Sequence, residues 1–165
     1  MLRIIETVDT LVVVNPDNPS GSFIKYNEVM LLIEKAKQLN KKIIIDESFI
    51  DFADESEKYT LLNSEILQTY KNLIIIKSIG KSYGVAGIRL GILASGDRKL
   101  LQDIKENMAI WNINSYAEYF LQIIRPYLPE YKKSCNLIAE ERKRFYNELS
   151  AISYLKVYKS QANYI

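Results

Sequence analysis

Four short runs rich in valine and isoleucine constrain the fold of this chain more than any other feature. Apolar and polar residues do not alternate within them, which indicates strands covered on both faces. A helical pattern separates the first two runs, with Asn27 as its expected N-cap. Strands that alternate with helices predict an α/β fold with a mostly parallel sheet flanked by helices. The expected strands span residues 11–14, 43–45, 73–76 and 88–94.

Helical patterns also surround the third and fourth of these strands. Ser115 has the position of an N-cap in a capping box with Glu118, and Pro126 should end the helix that begins there. A last apolar stretch, 155–158, predicts a short strand. The other expected helices span residues 61–70, 100–108 and 132–149.

Composition limits the classes of function that are open to the chain. At 165 residues, one domain with a core is expected. The 22 basic and 20 acidic residues are spread along the chain, which predicts no nucleic-acid surface, and no apolar run is long enough to span a membrane. The chain has no histidine and only Cys135, so common zinc sites and Ser-His or Cys-His nucleophiles are excluded. We therefore expect a cytoplasmic protein whose general base is Lys, Asp, Glu or Tyr.

Parallel sheets bind ligands at the carboxyl ends of their strands, and polar motifs follow the first two strands there. The first strand runs into NPDNPSG, where two prolines hold the Asn18 carboxamide on a stiff backbone that suits a hydrogen bond to a ligand. Taken alone, this motif could be no more than a loop. Asp46 ends the second strand, where it could cap the next segment or pair with a buried cation.

The third strand is followed by SIGKSYGVAGIRLG, which places Ser78, Lys81 and Arg89 among glycines. A hydroxyl, an amine and a guanidinium in this setting suit a phosphate and a carbonyl group. A nucleotide-binding P-loop is excluded because Ile75 stands where that motif needs glycine. The glycine spacing does not match the dinucleotide motif either.

Together, the three strand-end motifs resemble those of the class I/II aminotransferases of fold type I. That family has NPxNPTG, a strand ending in Asp, and S-x-x-K followed eight residues later by Arg. The resemblance spans nearly the whole chain and implies pyridoxal 5'-phosphate as cofactor. It implies that Asn18 bonds the phenolic oxygen and that Asp46 pairs with the pyridinium nitrogen. It further implies that Ser78 and Arg89 bind the phosphate, and that Lys81 forms the Schiff base.

Two segments, 46–52 and 111–114, are most similar to the branch with histidinol-phosphate aminotransferase and threonine-phosphate decarboxylase. This similarity implies an aminotransferase for a small phosphorylated amino acid, with Lys81 and Asp46 as the catalytic residues, or alternatively the decarboxylase. Trp111 could equally be a core residue. Two departures from the commoner family pattern are Phe49, where many relatives have tyrosine, and Gly80, where many have serine or threonine.

Complete members of the family are longer at both ends, which sets the expected domain organisation. We expect residues 1–150 to be a segment of the large cofactor-binding domain and 151–165 to be the start of the small C-terminal domain. The chain alone should then be a fragment with little or no turnover. The resemblance implies a homodimer for the full-length protein, with a small-molecule substrate. A non-catalytic domain used for binding or assembly is a further alternative.

Overall fold

A four-stranded sheet lies at the centre of the computed structural model, which describes residues Met1–Ile165. The strand order is β1-β2-β3-β4; the first three strands are parallel and β4 is antiparallel to β3. The expected α/β fold with a mostly parallel sheet is confirmed. The strands are β1 (Thr10–Val14), β2 (Lys42–Asp46), β3 (Leu73–Ser78) and β4 (Gly91–Ser95).

Six helices accompany the sheet, and each expected helical region overlaps one of them. None is both long and apolar enough to cross a membrane. Short 3-10 turns join several of the elements. The helices are α1 (Tyr26–Gln38), α2 (Ser64–Thr69), α3 (Ile79–Ser82), α4 (Arg98–Asn107), α5 (Ser115–Ile123) and α6 (Leu128–Ser150).

The main core lies between α1 and one face of the sheet. The apolar residues of α1 recur at positions i, i+3, i+4 and i+7, so they form one stripe that packs on the strands. Each fully buried isoleucine or leucine contributes about 1.5–3 kcal/mol through the hydrophobic effect. The central buried residues are Val29, Leu32, Ile33 and Ala36 of α1 with Val13, Ile43, Ile45, Leu73 and Ile75 of the strands.

The opposite face of the sheet is open at its edge strands, contrary to the expectation that both faces are covered. Val12 of β1 is 59% exposed and Leu93 of β4 is 41% exposed. Side chains alternate between the faces of a strand, and the helices that form the core pack on only one of them. In the strand register, Asp46 pairs with Ile76, which pairs with Leu93, so all three point to this second face.

The first helix begins earlier than the sequence predicted, and the second begins later. Lys25, not Asn27, is the N-cap of α1, because the Glu28 carboxylate accepts a hydrogen bond of 3.2 Å from the Lys25 N–H. For α2, the side chain of Asn63 accepts a hydrogen bond of 2.8 Å from the Glu65 N–H. The helix therefore begins at Ser64, directly after this cap.

The start of α5 and the last predicted strand also differ from expectation. Asn114, not Ser115, is the N-cap of α5, and its side chain accepts a hydrogen bond of 3.0 Å from the Ala117 N–H. No strand forms over 155–158, and Tyr158 in that segment is 64% exposed. The segment pairs with no other strand, and an unpaired strand leaves its backbone hydrogen-bonding groups unsatisfied by the protein.

Candidate active site

The carboxyl ends of β2 and β3 are joined by a buried serine. Asp46 is the last residue of β2, and its Oδ1 accepts a hydrogen bond of 2.8 Å from the Ser48 N–H. The Ser48 hydroxyl oxygen accepts a hydrogen bond of 2.9 Å from the N–H of Ser78, the last residue of β3. Two predicted site residues are thus fixed to one another through Ser48, which the sequence analysis did not single out.

Lys81 lies on the single helical turn α3, which follows β3 directly. Its side chain is exposed, and its Nζ lies 4.6 Å from the centroid of the Phe49 ring. A cation at this distance from an aromatic face is attracted by the ring quadrupole. Phe49 itself is buried, so it gives the lysine a fixed apolar surface. This contact defines the position of the amine at the mouth of the sheet.

Arg89 reaches the same region because the chain reverses before β4. It has a left-handed backbone conformation with φ of 54° and follows the 3-10 turn Ala86–Ile88. This conformation interrupts the extended chain, so the strand predicted from residue 88 begins only at Gly91. A Cβ atom on Gly80 would lie 3.2 Å from the Ala86 Cα. Glycine therefore lets these two backbone segments approach closely.

Four of the five predicted site residues line one cleft of about 550 Å³. This volume is within the usual range for small-molecule sites. Ile76 and Leu93 provide apolar wall on the open face of the sheet. The four predicted residues are Asp46, Ser78, Lys81 and Arg89.

Asn18 is the predicted site residue that does not line this cleft. It is exposed in the loop after β1, between two proline residues that both follow cis peptide bonds. The start of the loop is held by buried Asn15, whose carboxamide accepts a hydrogen bond of 2.8 Å from the Ile24 N–H and donates one of 3.0 Å to the Ile24 carbonyl. The role of Asn18 stays a prediction.

The C-terminal segment holds this loop from the other side. The hydroxyl of Tyr164 donates a hydrogen bond of 2.7 Å to the Asp17 carbonyl, and its ring packs edge-on against Phe49 at 5.6 Å. The Gln161 N–H donates a hydrogen bond of 2.9 Å to the Gly21 carbonyl. No local pattern in the sequence marks these contacts, so they could not be predicted.

Trp111 is not a core residue of this chain. Its side chain is 92% exposed in the segment between α4 and α5, so it does not belong to the core of this chain. The neighbouring Ile110 is 94% exposed. The functional interpretation of this segment, which rests on the resemblance alone, stays a prediction.

The groups around the cleft fit pyridoxal phosphate. A carboxylate can pair with a pyridinium nitrogen, and a primary amine can attach covalently to an aldehyde. A hydroxyl and a guanidinium can bind a phosphate, for which the planar guanidinium is well suited. Asp46, Lys81, Ser78 and Arg89 supply these four groups on one face of the sheet, and a cleft of about 550 Å³ lies between them.

A sheet of this topology with this set of groups defines a fold type I pyridoxal-phosphate enzyme. The family model for aminotransferases of class I and II matches residues 3–165, and the chain belongs to this family. Pyridoxal phosphate is the cofactor of the family. The predicted family and cofactor are therefore confirmed.

Three similar proteins illustrate the range of reactions in the family. An L-serine phosphate decarboxylase of Campylobacter jejuni is 39% identical over 162 residues, which are 96% of this chain and 41% of the relative. A decarboxylase structure from Sulfurospirillum multivorans is 36% identical with a TM-score of 0.82, covering 98% of this chain and 46% of that one. The histidinol-phosphate aminotransferase structure from Clostridium acetobutylicum is 30% identical with a TM-score of 0.84, covering 98% and 48%. The chain thus spans less than half the length of each.

Proposed function

We propose that the protein containing this chain is a pyridoxal-phosphate-dependent decarboxylase of a small phosphorylated amino acid, with O-phospho-L-serine as the first candidate substrate. The observation that carries this proposal is the higher identity to the two decarboxylases, 39% and 36%, than to the aminotransferase structure, 30%. The aminotransferase expected from the sequence becomes the second candidate. The close match of its fold, with a TM-score of 0.84, keeps it in consideration.

Each residue of the cleft has a defined task in this proposal. Bound pyridoxal phosphate supplies an electron sink for the electron pair left when a bond to the substrate α-carbon breaks. Asp46 keeps the ring nitrogen protonated, which its position at the end of β2 allows. Arg89 and Ser78 would hold the phosphate, and Lys81 would attach the cofactor. With a substrate bound, the Lys81 amine would be the group that moves a proton at the α-carbon.

The two candidate reactions differ in the bond that breaks. In decarboxylation, the bond from the α-carbon to the carboxylate would break and carbon dioxide would leave. The bonding electron pair would stay with the α-carbon, and Lys81 would deliver a proton there. In transamination, Lys81 instead removes the α-proton, and a 2-oxo acid is needed to accept the amino group. The need for a 2-oxo acid and the release of carbon dioxide therefore discriminate the two.

The test uses the whole protein with O-phospho-L-serine, O-phospho-L-threonine or histidinol phosphate, each with and without a 2-oxo acid. We expect carbon dioxide and O-phosphoethanolamine from O-phospho-L-serine without a 2-oxo acid. Borohydride reduction should leave the cofactor on the peptide that contains Lys81. Lys81→Ala should abolish product and covalent attachment, whereas Lys105→Ala, an exposed lysine of α4, should change neither.

Two results would contradict the proposal in different ways. Amino-group transfer to a 2-oxo acid without carbon dioxide would favour the aminotransferase. A whole protein that neither attaches the cofactor at Lys81 nor turns over any of the three substrates would favour a non-catalytic binding or assembly domain.

A further inference from the structure

A polar cluster lies next to the helical turn that carries Lys81 and includes Lys77, which also lines the cleft. At its centre is Asp51, in the 3-10 turn Ile50–Phe52 after β2. Its Oδ1 accepts a hydrogen bond of 2.6 Å from the Lys77 Nζ, and its Oδ2 accepts one of 2.5 Å from the Tyr131 hydroxyl. The Lys77 side chain is only 11% exposed and that of Asp51 20%. Both carboxylate oxygens are therefore engaged in a largely desolvated site.

This cluster contacts the two residues that follow Lys81. The Tyr83 ring stacks on the Tyr131 ring with centroids 3.8 Å apart and planes inclined by 2°. The Ser82 hydroxyl is buried beside Tyr131. Phe120 of α5 packs edge-on against Tyr83 at 5.8 Å. Residues 82 and 83 are thus attached to α6 through Tyr131.

The turn itself has little intrinsic stability. Helix α3 spans four residues, and one isolated helical turn is unfavourable because it fixes several backbone dihedral angles for a single hydrogen bond. The Lys81 side chain is exposed, so core packing does not hold it. The position of its amine must therefore be set by contacts on either side of the turn. One such contact is with Phe49, and the other is the stack of Tyr83 on Tyr131.

We propose that Asp51 and Tyr131 are positioning residues that hold the Lys81 turn at the cleft. Three elements meet in this anchor: the segment after β2 through Asp51, β3 through Lys77, and α6 through Tyr131. Burial and the hydrogen bond to Asp51 raise the Tyr131 pKa, so the phenol stays protonated and donates to that carboxylate. This inference rests on the proposed role of Lys81 in cofactor attachment, because Asp51 and Tyr131 affect attachment only through the position of that residue.

The decisive variant is Tyr131→Phe in the whole protein, because it keeps the ring stack on Tyr83 and removes only the hydroxyl that donates to Asp51. Tyr154→Phe, at a position 86% exposed, is the matched control. The readouts are the rate at which the cofactor-free protein attaches pyridoxal phosphate at Lys81 and the pH midpoint of the absorbance of the attached cofactor. We expect Tyr131→Phe to slow attachment about tenfold, as loss of one hydrogen bond that fixes the geometry would do, and to shift the midpoint.

Two further variants separate positioning from lost stability. Leu32→Ala opens a cavity in the core between α1 and the sheet, so it should lower the urea midpoint while leaving both readouts unchanged. Asp51→Asn weakens the same hydrogen bond from the other side and also removes the ion pair with Lys77. If the two residues act as one unit, the double variant Asp51→Asn, Tyr131→Phe should attach the cofactor no more slowly than the slower single variant.

The outcomes distinguish this proposal from the proposed function. If the unmodified protein attaches the cofactor at Lys81 and Tyr131→Phe matches it in rate and pH midpoint, the anchor is refuted while the proposed function stands. Slowing by Leu32→Ala in proportion to its loss of stability would also refute the anchor. If the unmodified protein attaches nothing at Lys81, both proposals fail together.

Discussion

Ser48 and Ser78 join the ends of two neighbouring parallel strands through one hydrogen bond of 2.9 Å, in which the Ser78 N–H donates to the Ser48 hydroxyl oxygen. Ser48 is buried, and its hydrogen bond with Ser78 is partly shielded from water at the edge of the cleft. The N–H of Ser48 meanwhile donates to Asp46 at 2.8 Å. The distance between Asp46 and Ser78 in the cleft thus depends on the uncharged side chain of Ser48.

Ser48→Ala should therefore destabilise the protein. The change leaves the Ser78 N–H without its protein partner, which should cost about 1 kcal/mol, the low end for an unpaired donor, because this hydrogen bond is only partly buried. Urea unfolding measures the loss, and Ser153→Ala, at an exposed position without a side-chain hydrogen bond, should stay within about 0.5 kcal/mol of the unmodified protein. Equal stability of the two variants would show that the hydrogen bond does not hold the strand ends.

Glu47 should make the stability depend on pH. It is buried and accepts hydrogen bonds from the Thr60 hydroxyl at 2.7 Å and the Leu61 N–H at 2.6 Å. Burial raises its pKa above the ordinary 4.5. A carboxyl that keeps its proton to higher pH when folded than when unfolded lowers the stability as the pH rises from 4.5 through the folded pKa.

Glu47→Gln removes this titration and keeps an oxygen that can accept from Leu61. We expect the free energy of unfolding of the variant to rise relative to the unmodified protein between pH 4.5 and neutral pH. Urea unfolding at several pH values across this window measures the difference. The free energy of unfolding of the exposed variant Glu140→Gln should follow the same pH dependence as that of the unmodified protein. If Glu47→Gln also followed that pH dependence, the prediction would be contradicted.

Arg142 should be the most costly arginine to remove. Its buried guanidinium donates hydrogen bonds of 2.5 Å to the Phe52 carbonyl, 2.9 Å to the Ala162 carbonyl and 3.0 Å to the Asp54 carboxylate. Arg142→Met keeps the apolar stem and leaves the two carbonyls unpaired, whereas Asp54 keeps its ion pair with Lys143. We expect a loss of about 3 kcal/mol, the low end for a broken buried ion pair, because Asp54 is partly exposed.

The matched variant is Arg144→Met, two residues further along α6. Arg144 pairs with Glu141 and Glu148 on the exposed face of the helix, where ion pairs contribute about 0–1 kcal/mol. Thermal or urea unfolding compares the two variants. A similar loss for both would mean that the guanidinium of Arg142 does not link α6 to the C-terminal segment.

Gly21 should be intolerant of a side chain for two separable reasons. Its φ is +69°, and a Cβ atom there would overlap the Ser160 hydroxyl oxygen. Gly84 has nearly the same φ, +67°, but a Cβ atom on it would meet nothing within 4 Å. Gly84→Ala should therefore cost about 1–2 kcal/mol for backbone strain alone.

Gly21→Ala should cost more than Gly84→Ala because it also displaces the C-terminal segment. It should weaken cofactor binding as well, since that segment holds the loop that carries Asn18. Unfolding measurements and fluorescence titration with pyridoxal phosphate test the two effects. Equal costs for the two substitutions would show that the contact with Ser160 adjusts freely.

The strands and the site could be predicted because both leave local signals. A buried parallel strand needs an unbroken apolar run, so β1, β2 and β3 are visible in the sequence itself. Residues that follow such strands meet at one edge of the sheet, which brings Asp46, Ser78 and Lys81 together. Arg89 lies beside them because its own backbone is left-handed, a conformation that no local sequence pattern predicted.

The supporting contacts could not be predicted because they join residues far apart in the chain. Tyr131 bonds Asp51 across 80 residues, and Tyr164 bonds Asp17 across 147. Such pairs depend on how α6 and the segment after it pack on the loops at the sheet edge. The strand expected over 155–158 failed for the same reason, because an apolar run becomes a strand only where a partner strand is available.

The sequence by itself determined the order of strands and helices, the family and the identity of the groups around the cleft, because each depends on residue types at short spacing. Tertiary structure decided which face of the sheet stays open, that Asn18 lies outside the cleft, and which side chains hold the Lys81 turn. These outcomes depend on the docking of distant segments. Docking is set by the packing and hydrogen bonding of the whole chain, and no short stretch of sequence encodes it.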